Sequence, residues 1–95
     1  MTEIVNVFLT ESPSQLDAIE LAAQEGDCYG LESASHSLKG AVSNFGNTEL
    51  AADLGRIEIL MREGHRDEAF KLARCVRPRL DTFRAELQRQ VGAIL

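Results

Sequence analysis

The chain has 95 residues, of which 44% are hydrophobic and 26% charged, and its formal net charge is −5. That is enough chain for one soluble domain with a modest core, and no apolar run approaches the ~20 residues of a membrane span. The acidic balance argues against nucleic acid as the main partner, and the N-terminus lacks the basic stretch of a secretory signal, so a cytoplasmic location is expected.

The apolar positions follow helical spacing nearly throughout, with no strand-like alternation, repeat or low-complexity segment. A short first segment runs from Glu3 to about Thr10, with Ile4 and Phe8, and Val5 and Leu9, one turn apart. Ser12 suits an N-cap, Pro13 the first helical position and Gln15 a capping box, which predicts a new helix starting at Pro13. It carries Leu16, Ile19 and Ala23 on one face and stops at Gly26. Asp27 caps the next helix, which runs to about Asn44 and stops at Gly46. Asn47 or Thr48 caps a third, with Leu50, Leu54, Ile57 and Met61 as its stripe, ended by Gly64. The last starts near Arg66 or Asp67 and keeps one stripe through Phe70, Ala73, Val76, Leu80, Phe83, Leu87, Val91 and Ile94. That phase survives Pro78, which predicts one kinked helix rather than two. Short connections make neighbours antiparallel. The expected fold is all-α: an up-and-down antiparallel four-helix bundle with a short extra N-terminal helical segment, one domain over residues 1–95.

Charge is unevenly spread. Residues 1–35 hold seven acids and no Lys or Arg, whereas from Arg66 onward seven basic residues face four acids. An acidic N-terminal segment packed beside a basic C-terminal helix accounts for this, with Arg74, Arg77 and Arg79 pairing with acids or water. Cys28 and Cys75 stand far apart, without metal-ligand spacing, and read as small buried or half-buried thiols. His65, in a helix connection, reads as a solvated loop residue. No metal site and no cofactor are expected.

The second helix carries the chemistry. At about 100° per residue, Leu31, Ala34, Leu38, Ala41, Val42 and Phe45 share one arc, the core face, and His36 lies opposite. Glu32, Lys39, Gly40 and Ser43 share its side, with Tyr29 two turns earlier. Lys39 places an ammonium beside the ring. Gly40 bares the backbone there at a cost of ~1 kcal/mol relative to alanine, which points to something that must approach the imidazole. A hydrolase triad is excluded, because the middle of a helix offers no free N–H groups for an oxyanion. Phosphoryl acceptance asks less of the chain: an accessible neutral nitrogen, in-line approach and nearby positive charge.

"HSLKG" at His36–Gly40, with Gly46 ten residues after the histidine and Leu50, Leu54, Ile57 and Glu58 beyond, resembles the histidine-containing phosphotransfer domain of bacterial multistep phosphorelays. The resemblance covers most of the chain. It implies that His36 takes a phosphoryl group, on the nitrogen farther from the backbone, from one receiver-domain aspartate and passes it to another. It implies that Lys39 offsets the phosphoryl charge and that Gly40 admits the receiver. Glu32, Ser33, Gly40 and Ser43 are expected to form the docking surface, and Tyr29 either extends it or covers the side of the bundle. The partners are then receiver domains of response regulators or hybrid kinases, the carrier has no kinase activity of its own, and any magnesium belongs to the receiver; a monomer is the default expectation. Ser35 departs from the alanine the family often has there; it is expected at the border of the core face, bonding back to the preceding turn. The phosphoacceptor domain of a histidine kinase fits less well, since Ser37 rather than an acid follows the histidine and the next proline is Pro78. A docking module that is never phosphorylated is the alternative from another class.

Overall fold

The computed structural model describes the backbone of residues 2–46 and 48–94 and the side chains of 3–46 and 49–90. The elements are α1 (Thr2–Glu25), α2 (Cys28–Ser43), α3 (Thr48–Arg62), α4 (Arg66–Arg74) and α5 (Val76–Ile94). Consecutive helices α1, α2 and α3 pack side by side, and α4 with α5 forms the fourth arm of an all-α bundle. One core runs through it, built from Val5, Phe8, Leu16, Ile19, Leu31, Leu38, Val42, Leu54, Ile57, Val76, Leu80 and Phe83 among others.

The helix ends follow from local chemistry. Asp27 Oδ1 accepts the Gly30 N–H at 2.9 Å and caps α2. Gly26, Gly46 and Gly64 follow α1, α2 and α3 with φ of 68°, 72° and 82°, the left-handed conformation that terminates a helix and that a side chain disfavours. The cap expected at Asn47 or Thr48 lies outside the described residues, as do the side chains of Val91 and Ile94.

Both prolines behave differently from expectation. No helix starts at Pro13: α1 is continuous, and the N-terminal segment is its first turns rather than a separate helix. Val5, Phe8, Ser12, Leu16 and Ile19 form one buried stripe. Breaking the helix at Ser12 would withdraw Phe8 from edge-on contacts with Phe45 and Phe83, whose ring centroids lie 5.1 and 5.6 Å away. Pro13 has no N–H for the Leu9 carbonyl; Arg84 Nη2 donates to that oxygen instead, at 3.0 Å. At the other end, the expected single kinked helix is two helices parted by Cys75. Pro78 cannot bond the Arg74 carbonyl, and the chain breaks there, so that Pro78 sits in the first turn of α5, where no intrahelical N–H bond is needed. The stripe keeps its phase across the break: Ala73, Val76, Leu80, Phe83 and Leu87 are all buried.

The acidic and basic ends meet as expected. Arg77 donates from Nε and Nη2 to Glu20 at 2.8 and 2.6 Å and from Nη2 to Asp17 at 3.2 Å. The hydrogen bonds from Arg77 outweigh desolvation and hold the Glu20 carboxyl below its ordinary value. Arg79 pairs with Asp53. Cys28 is half-buried, but Cys75 is exposed, because it lies off the buried stripe of Ala73, Val76 and Leu80; both thiols are free. His65 is exposed in the α3–α4 connection.

Candidate functional site

Laid against this core, α2 buries Leu31, Leu38 and Val42 and half-buries Ala34, Ala41 and Phe45, which turns His36 outward. Its side chain is 69% exposed. Tyr29 (83% exposed), Ser33, Gly40 and Ser43 line the same outer ridge. A Cβ built on Gly40 meets nothing within 4 Å, so the bare backbone there answers to no neighbour inside the molecule. Ser43 turns its hydroxyl back on its own helix, donating to the Lys39 carbonyl at 2.7 Å.

The flank of α2 that faces α3 is closed by polar contacts. Arg62 Nε donates to Glu32 Oε1 at 3.2 Å. One turn on, His36 Nδ1 lies 2.8 Å from Glu58 Oε1, and Lys39 Nζ lies 2.6 Å from Glu58 Oε2. Glu58 is 3% exposed, a buried carboxylate with a partner on each oxygen. Burial pushes its carboxyl up, but the contacts with Lys39 and His36 more than offset this and hold it below its ordinary 4.5. The ionised carboxylate can only accept, so Nδ1 carries the ring proton. Nε2 makes no hydrogen bond among the described residues, and it is the nitrogen that carries the lone pair when the ring is neutral.

Two expectations change here. Lys39 is not a freely exposed ammonium: its side chain is 35% exposed, and its Nζ reaches the buried Glu58 carboxylate of α3. Ser35 is fully buried rather than at the border; it lies on α2 between Glu32 and Lys39, both of which contact α3, and its hydroxyl has no hydrogen-bond partner, so the expected bond to the preceding turn is not made. Glu58 had no assigned role in the sequence reading. Its signal was there: an acid one turn from Leu54, at the edge of a core stripe, must find partners to be buried.

Fold and site together define a helical scaffold that holds one imidazole by one nitrogen and offers the other outward. The Hpt domain family model matches residues 3–93. The chain belongs to that family, the histidine phosphotransfer domains of phosphorelays, which carry phosphoryl groups and work with receiver domains rather than acting as kinases. Comparison with curated proteins and with solved structures returns no match. No helix among the described residues is long and apolar enough to cross a membrane.

Proposed function

We propose that the chain is a phosphoryl carrier in a two-component phosphorelay and that His36 is the residue modified. A receiver carrying an aspartyl phosphate docks on the ridge of Tyr29, Ser33, Gly40 and Ser43, with Glu32 at its edge on the α3 side. The Nε2 lone pair forms the N–P bond as the P–O bond to the aspartate breaks, and the aspartate leaves as a carboxylate. Nδ1 keeps its proton, so positive charge develops on the ring, where Glu58 faces it. In onward transfer a second receiver's carboxylate oxygen attacks phosphorus, the N–P bond breaks and the lone pair returns to Nε2. Lys39 lies one turn from the imidazole and offsets the phosphoryl charge. A divalent cation, where one is needed, belongs to the receiver's acidic pocket.

One observation carries this reading: a ring tethered at Nδ1 to a buried carboxylate while most of its surface stays open. The test is incubation with phosphorylated receivers from the same organism. Label is expected on the wild-type chain, acid-labile and base-stable, and absent from His36→Gln. If no cognate donor labels the wild type, the chain is a docking module that is never phosphorylated.

A further inference from the structure

Gly55 stands in the middle of α3, half-buried, one turn before Glu58. It is not among the glycines with positive φ, so the backbone does not require it. A glycine in a helix interior costs ~1 kcal/mol relative to alanine. What it leaves is room: a Cβ built at Gly55 would lie 3.5 Å from Lys39 Cδ, in ordinary contact, and any atom beyond that Cβ would compete with the lysine stem. The Lys39 side chain crosses from α2 over this bare stretch of α3 and ends 2.6 Å from Glu58 Oε2. Glu58, one turn along the same face, in turn holds His36. Gly55, Glu58 and Lys39 therefore form one slot, with the glycine as its floor.

We propose that Gly55 is a positioning residue: the absence of any atom beyond a Cβ there lets Lys39 lie across α3, which fixes the ammonium beside His36. This rests on His36 being the phosphoacceptor, and it adds a residue that never touches the phosphoryl group.

The first readout needs no receiver: titration of the Glu58 carboxyl, followed by carbon-13 NMR. Gly55→Ala leaves the midpoint where it is, since its Cβ fits. Gly55→Leu raises it to the level reached by Lys39→Ala, and the double variant raises it no further. The second readout is transfer from a phosphorylated receiver. Gly55→Leu slows it by the same factor as Lys39→Ala, on the order of tenfold for a lost charge contact near the surface, with no added loss in the double variant. Alanine and leucine are both better helix formers than glycine, so helix propensity is not at stake. A Glu58 midpoint unmoved by Gly55→Leu overturns the proposal. So does a transfer rate that Gly55→Leu lowers equally with and without Lys39, which marks the new side chain as an obstacle to docking. Should the wild type accept no phosphoryl group, the assignment of His36 falls, and the carboxyl titration still decides on Gly55.

Discussion

Arg84 supplies to Leu9 the hydrogen bond that Pro13 cannot: its Nη2 donates to the Leu9 carbonyl at 3.0 Å, four residues before the proline. A side chain from the last helix thus repairs the ladder of the first. Arg84→Ala should cost about 1–2 kcal/mol of stability, the value of a charge-assisted bond to a part-buried carbonyl. In a Pro13→Ala background the restored N–H takes over, and the same substitution should cost markedly less. Urea unfolding of the four proteins in the cycle measures the coupling; equal costs in both backgrounds refute the repair.

The Glu58 carboxylate sets which ring nitrogen of His36 holds the proton. Glu58→Ala should shift the ring from the Nδ1–H form toward the Nε2–H form, removing the outward lone pair, and slow phosphotransfer. Nitrogen-15 shifts of the imidazole report the tautomer directly, and an unchanged tautomer would show that Glu58 does not govern it.

Acid should unfold the protein partly through Glu58 and Glu20. Both carboxyls are held below 4.5 in the folded chain, Glu58 by Lys39 and His36 against burial and Glu20 by Arg77. The unfolded chain therefore binds protons first as pH falls, and the stability these groups provide above the unfolded value is lost as pH drops through the folded ones. The denaturant midpoint should decline between about pH 5 and pH 3. Arg77→Ala should flatten that decline by removing the Glu20 contribution. A slope unaffected by the substitution would contradict the pairing.

Gly40 separates stability from docking. Gly40→Ala should stabilise the helix by ~1 kcal/mol, because nothing lies within 4 Å of the added carbon. Gly40→Leu should also raise the melting temperature yet weaken binding to a receiver. Unaltered receiver affinity in the leucine variant would remove the docking role from this glycine.

Much of this was readable from residue order. Asp27, Gly26, Gly46 and Gly64 mark helix ends by their own backbone preferences, and the outward direction of His36 follows from the apolar arc opposite it. The break before Pro78 is local, set by the bond that proline cannot make to Arg74; the other misreadings hinge on what a distant helix contributes. Ser12 and Pro13 look like a helix start until Phe8 finds Phe45 and Phe83 and Arg84 reaches Leu9. Continuity of phase, which was read correctly across Pro78, also holds across Pro13, but the polar Ser12 in the seam hides it. The burial of Ser35, and the sharing of Glu58 between His36 and Lys39, depend on the register of two helices, and helical periodicity within one segment does not contain that register.

The bond from His36 to α3 leaves only one nitrogen to trade with. If both transfers use it, donor and acceptor must occupy the same berth in turn, and no ternary assembly can pass the group directly. Throughput is then governed by how quickly each visitor departs and by their relative abundance, which makes the carrier a point where competing inputs are weighed.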